Sequence, residues 1–266
     1  MAYSLIGEGS LKIFKKVGII AIVLFSFYYT EEIANFVLHS NPLYKEIDNK
    51  KESYEILSVA AKIDGDYIIP GLNGVGVNVK DSYYNMKSLE VFNEYYLKYM
   101  NTYPEVSIIQ NKDKIINKGN PNKNSVSLVL EYDENIIEAL KNNHFSVLVS
   151  FDQFDKNANY ECINNEVSNF DKLENLINKY KNNTGICVLS NGNERVCRDK
   201  KMFLVKPEKI LSDSTILSLK DTVESGDIIL IKKNTKVSNV LLLLKSIKYK
   251  DYKINYLSEH ISEERN

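Results

Sequence analysis

The sequence predicts an α/β fold of parallel βαβ units, entered through an N-terminal membrane-anchor helix and a small α+β region. Three observations predict it. From about Ser125 onward, short apolar runs bounded by turn residues alternate with amphipathic stretches, the pattern of strands joined by crossover helices. An unbroken apolar run follows a lysine cluster near the N-terminus. With 266 residues, 44% of them hydrophobic, the chain can bury a sizeable core. A distorted or partial (β/α) barrel and an open doubly wound sheet both satisfy the alternation.

The N-terminal signal comes first. Lys12, Lys15 and Lys16 precede VGIIAIVLFSFYY at residues 17–29, and Glu31 and Glu32 follow. Thirteen residues span only about 20 Å as a helix, less than the roughly 30 Å of a bilayer core. A helix over residues 12–38, with its lysines reaching back to the headgroups, is long enough. No small-x-small cleavage site lies between Phe25 and Ile33, which favours an uncleaved signal-anchor over a cleaved signal peptide or a buried core helix. Basic residues before the run and acidic ones after it place residues 1–38 as cytoplasmic tail and anchor, with the bulk of the chain extracytoplasmic.

Residues 39–124 read as an N-terminal extracellular region. Residues 34–66 look helical and polar. Gly71, Gly74 and Gly76 form GxxGxG, but no strand–loop–helix context or following Lys-Ser/Thr accompanies them, so a turn after Pro70 is the better reading than a phosphate loop. Asp81 is a candidate helix cap. Short strands are expected at residues 106–109 and 114–116.

Residues 125–266 are regular. Strands are expected at 125–130, 145–149, 186–189, 202–205, 227–231 and 253–256. Helices are expected at 135–141, 170–181, 213–223 (capped by Asp213) and 238–247 (capped by Ser238). Cys187 and Cys197 bracket CVLSNGNERVC, with Asn191-Gly192 as a turn signal. The segment reads as a hairpin that brings the two cysteines into disulfide reach, as suits an exported chain. With a formal net charge of -1 the chain has no Lys/Arg excess, so no nucleic-acid partner is expected.

Two segments resemble the polysaccharide deacetylases. VSLVLEYDENIIEALKNNHFSVLVSF is similar to the strand–helix–strand that opens the family's domain around "TFDDG". SGDIILIKKN, a leucine-rich helix and YKDYKINYLSEHISEE are similar to its end, "GxIILLH" followed by "GYxfvtLsEll"; Gly226, Ile228, Ile229, Leu230, Tyr252, Leu257, Ser258 and Glu259 match. The resemblance covers residues 125–263. It implies a barrel of the deacetylase type and, in active members, a divalent metal, commonly zinc, held by one Asp and two His with a second Asp as general base. Such a metal lowers the pKa of its bound water and polarises the substrate carbonyl.

The chain departs from that pattern. The alignment puts Glu131 at the base position, Tyr132 at the metal-ligand Asp and Lys232 at the late His. Tyr132 and Lys232 are then expected close together at the C-terminal end of the sheet, with Glu131 paired to Lys232. The HxxxH ligands should lie between residues 151 and 186, where there is no histidine. His39, His144 and His260 are the remaining histidines and read as packing or surface residues. No catalytic residue, metal or cofactor is therefore expected. The reading is a membrane-anchored, non-catalytic deacetylase-like protein that binds cell-wall glycan such as peptidoglycan, or an envelope protein. Two alternatives stay open: an active, divergent glycan hydrolase or deacetylase using Glu131 with nearby acids (Asp133, Asp152, Asp155), and a structural envelope-assembly protein acting through its N-terminal region.

Overall fold

The computed structural model describes residues 5–181, 185–190 and 192–265. The chain divides into two compact units, residues 1–56 with 75–100 and residues 57–74 with 101–266. The boundary expected at residue 124 falls inside the second unit, because residues 57–74 and 101–124 supply strands to one of its sheets.

In the first unit, helix α1 (Leu5–Ser40) contains residues 16–40, long and apolar enough to cross a membrane and unburied by the rest of the chain. It starts before, and ends just past, the expected 12–38. Asn41 then caps α2 (Pro42–Lys50), its Oδ1 accepting from the amides of Leu43 and Tyr44 at 2.9 and 3.4 Å, with Pro at the first helical position. The polar helix expected to reach residue 66 ends by residue 53; beyond it Ile56 bridges to Val75 as extended backbone. Asn78, not Asp81, caps α3 (Val79–Met86): its Oδ1 accepts from the Asp81 amide at 3.0 Å. Strand β3 (Gly74–Val77), which precedes α3, pairs with β4 (Tyr99–Thr102), which follows it. Leu43, Tyr44, Ile47, Val77, Tyr83, Met86 and Leu97 form the core.

The second unit holds two sheets. The larger has the order β11 (Lys209–Leu211), β12 (Ile228–Ile231), β6 (Ser125–Glu131), β7 (Ser146–Val149), β8 (Glu161–Asn164), with β13 (Lys253–Asn255) also paired to β6. Every pairing in it is parallel. Residues 125–130 of β6 are all buried, as a strand covered on both faces must be. Side-chain alternation splits them. Val126, Leu128 and Leu130 pack on Ile136 and Leu140 of α4 (Glu134–Leu140), Leu173 of α5 (Phe170–Lys181), Leu219 of α7 (Ile216–Thr222) and Leu243 of α8 (Val237–Tyr249). Val129 faces the other way, with Leu148, Ile163 and Ile228, onto the second sheet. That sheet runs β1 (Lys62–Asp64), β2 (Tyr67–Ile69), β5 (Ile115–Ile116), β10 (Phe203–Val205), β9 (Ile186–Val188). Neither sheet closes into a barrel; the parallel α/β architecture holds.

Several local readings are corrected. Residues 106–109 form a bend and turn with Ser107 and Ile108 buried, not a strand: the Ile108 amide is drawn to Glu263 Oε1 (3.1 Å) and the Val106 carbonyl to the Ala61 amide (2.9 Å). Asp213 lies ahead of α7 and serves α8 instead. Its Oδ1 accepts from the Lys236 amide (2.9 Å) and Asn239 Nδ2 (2.8 Å), so Ser238 is not the cap. The Lys236 amide at the helix start holds the Asp213 carboxyl below its usual range. Gly71 is required by packing, since a Cβ there would lie 2.3 Å from the Val59 carbonyl oxygen.

The cysteine segment is not a hairpin. β9 and β10 are parallel neighbours, with Cys187 opposite Leu204, and parallel strands need a crossover. The short helix α6 (Glu194–Asp199) makes it and carries Cys197. Asn191 of the expected turn lies outside the described residues. The disulfide nevertheless forms, with a Cα–Cα distance of 6.1 Å, because Cys187 on the outer face of β9 and Cys197 on the helix above it are both buried in one cluster with Phe170, Met202 and Leu204. Replacing both cysteines by alanine is expected to cost about 2–3 kcal/mol, read as a lower urea midpoint than wild type under non-reducing conditions.

Candidate functional site

Parallel α/β folds gather their functional side chains at strand C-termini. Here β6 ends in Glu131 and β12 runs into Lys232, and the register sets Leu130 beside Ile231. The two next residues therefore meet. Lys232 Nζ donates to Glu131 Oε1 at 2.6 Å, and the Lys233 amide donates to Oε2 at 3.0 Å. Both carboxylate oxygens are thus engaged. The pair is half open to solvent, the side chains being 44% and 27% exposed.

Asp133 repeats the arrangement two residues on. Its Oδ1 caps α4 through the amides of Asn135 and Ile136 at 3.0 and 3.3 Å, and its Oδ2 accepts from the Asn234 amide at 3.0 Å. The β6 and β12 ends are stapled together by two acids on one side and the 232–234 loop on the other. The cap is legible in the sequence, where Asp133 precedes a helical apolar pattern. The loop partners had no such signal, because they lie 101 and 102 residues away.

Tyr132 lies at the same end of the sheet as Lys232 but on the opposite face from Glu131. Its ring is partly buried against the helix-side core, and burial together with Glu134 raises its phenol pKa. Asp152 and Asp155 are exposed beyond β7; Asp155 Oδ1 closes a turn on the Asn157 amide at 2.8 Å. Beyond β8, Asn165 Oδ1 accepts from Ser190 Oγ at 3.0 Å. The Glu166 carboxyl is held below its usual range mainly by Ser168.

These residues do not fit the family's metal. The position of the base carboxylate is occupied by an ammonium contact, the position of its companion Asp by a phenol facing the helices, and the position of the late His by the ammonium itself. Among the described residues no group of three or more His, Cys, Asp or Glu is arranged to hold a metal ion. His39 meets Tyr44 edge-on and His144 stacks on Tyr256, with ring centroids 4.7 and 4.6 Å apart, and His260 is buried at the other end of β6. A cleft of about 560 Å³ lined by His144, Leu241, Leu244, Lys248, Tyr252 and Ile254 opens where β7 and β13 begin, so it is separate from the strand-end site.

No family model matches the chain. The crystal structure of BA3943, a CE4 family pseudoenzyme from Bacillus anthracis, aligns with a TM-score of 0.55 at 22% identity, over 84% of this chain and 96% of that one. The chain has the CE4 polysaccharide deacetylase fold. A BA3943 mutant with restored enzymatic activity aligns over 84% of this chain and 99% of that one, with a TM-score of 0.57 at 21% identity. The uncharacterized protein YlxY of Bacillus subtilis is 35% identical over 108 residues, 38% of this chain. The chain matches about a third (34%) of that relative's length.

Proposed function

We propose that this chain is a membrane-anchored, extracytoplasmic protein of the deacetylase fold that does not hydrolyse acetamides and instead binds cell-wall glycan or an envelope partner at the strand ends. One observation carries the reading: the Glu131–Lys232 contact at 2.6 Å. The contact ties both oxygens of the carboxylate at the base position to the Lys232 ammonium and the Lys233 amide. The ammonium also repels a divalent cation at the distance where one would have to sit. The similarity to a protein described as a CE4 pseudoenzyme supports the same reading.

The test is acetate release by the purified full chain in detergent, from peptidoglycan and chitin fragments, with and without added zinc. No release above a protein-free control is expected, while the chain co-sediments with peptidoglycan and charge reversal at Lys232→Glu weakens that sedimentation several-fold. Zinc-dependent turnover would overturn the reading. The second reading, a hydrolase using Glu131, requires an activity that Glu131→Gln abolishes.

A further inference from the structure

We infer that the turn following α3, together with Tyr84 on its last helical turn, forms a second membrane contact that seats the first unit on the lipid surface. The inference rests on the reading of α1 as a membrane span. Its basis is chain continuity. The apolar stretch runs to Ser40, Asn41 caps α2, and Pro42 is already its first residue. No linker separates span from unit, so the N-terminal end of α2 lies at the headgroups.

The C-terminal end of α3 lies there too. Asn41 and Pro42 line one cleft of about 350 Å³ with Tyr83, Lys87 and Glu90. A chain of ring contacts makes the same link: His39 in the last turn of α1 to Tyr44 at 4.7 Å, Tyr44 to Tyr83 at 5.9 Å, Tyr83 to Tyr84 at 5.5 Å. From this place project side chains that water does not favour. Tyr84 is 54% exposed, Leu89 42% and Val91 59%. The turn holds them out through Glu90, whose φ of 54° is in the left-handed region and whose amide, like that of Leu89, bonds the Met86 carbonyl. Tyr, an aliphatic pair and Lys87 within reach of a span's end match the composition of the membrane–water interface, where amphipathic rings and lysine stems sit at headgroup level. A lipid surface therefore covers this patch.

The experiment places an environment-sensitive fluorophore at Leu89→Cys, Tyr84→Cys and, within the span, Val23→Cys, each in the full chain in lipid nanodiscs, with unlabelled wild type as background for the buried Cys162. Lipids brominated near the acyl carbonyls are expected to quench the labels at 84 and 89 at least twofold, and deep-brominated lipids the label at 23. Quenching at 23 with none at 84 and 89, and with those two reached by aqueous iodide, overturns the second contact and leaves the anchor standing. No lipid quenching at any position removes the anchor, and the inference with it.

Discussion

Acidification from pH 7 to 4 is expected to remove roughly 3 kcal/mol from the second unit through one side chain, His260. The ring is fully buried. Nε2 lies 3.1 Å from the Gly226 carbonyl oxygen, which only accepts, so Nε2 carries the proton; Nδ1, 3.1 Å from Ser125 Oγ, accepts from the hydroxyl. Both ring nitrogens are satisfied by the neutral form. Burial pushes the pKa down to about 4, with Lys123 adding to the depression and the Gly226 carbonyl and Asp227 opposing it. In the unfolded chain the same histidine titrates near 6.5. The unfolded state thus binds the extra proton first. The contribution is complete above about pH 6.5, declines as pH falls, and is gone below about pH 4. Gly119 makes the pocket unforgiving, since a Cβ there would lie 2.4 Å from Nε2. Urea midpoints of wild type and His260→Asn across pH 4–7 check this. The variant is expected to be weaker at pH 7, and the gap should close toward pH 4; a constant gap refutes the titration.

Glu263→Ala is expected to cost about 3 kcal/mol or more. One carboxylate oxygen, Oε1, accepts from the amides of Gly71 (3.0 Å) and Ile108 (3.1 Å), both inside the fold. The Glu263 carbonyl accepts from the Asn73 amide at 2.6 Å, and Arg265 reaches the carbonyls of Asn73 and Leu57 at 2.6 and 2.9 Å. The C-terminal segment thereby clasps residues 57–74 to the sheet. Alanine leaves two buried donors without an acceptor, and each such orphan costs about 1–3 kcal/mol. Glu263→Gln keeps one carbonyl oxygen at the same place and is expected to cost less than half as much. Hydrogen exchange provides the second readout: the amides of Gly71 and Ile108 should lose protection in the alanine variant before those of β6.

What the sequence by itself determined lies where local pattern and covalent order suffice. The run SVSLVL at 125–130 reads as a buried strand, and the spacing in 170–181 as a helix with one apolar face. The apolar helix at the N-terminus, the cysteine pair and the CE4-like ends of the last 140 or so residues were legible for the same reason: each is a statement about neighbours in the chain. Even the Glu131–Lys232 meeting followed, because parallel strands of known direction put their last residues together.

Tertiary structure decided the rest, and in each case because the deciding partner is remote. Apolar runs at 186–189 and 202–205 fit a hairpin as well as a crossover; the choice of parallel strands came from the cover that α6 provides and from β5, which pairs with the far edge of β10. Residues 106–109 had strand composition, but their amide hydrogen bond goes to a glutamate 155 residues away. Asp213 had the right residue type to cap α7 and caps α8. Burial of His260, and with it the acid sensitivity of the unit, depends on Ser125, 135 residues earlier, and Gly226, 34 earlier. Periodicity records which face of an element is apolar; which distant atom fills a hydrogen bond is fixed only when the faces close.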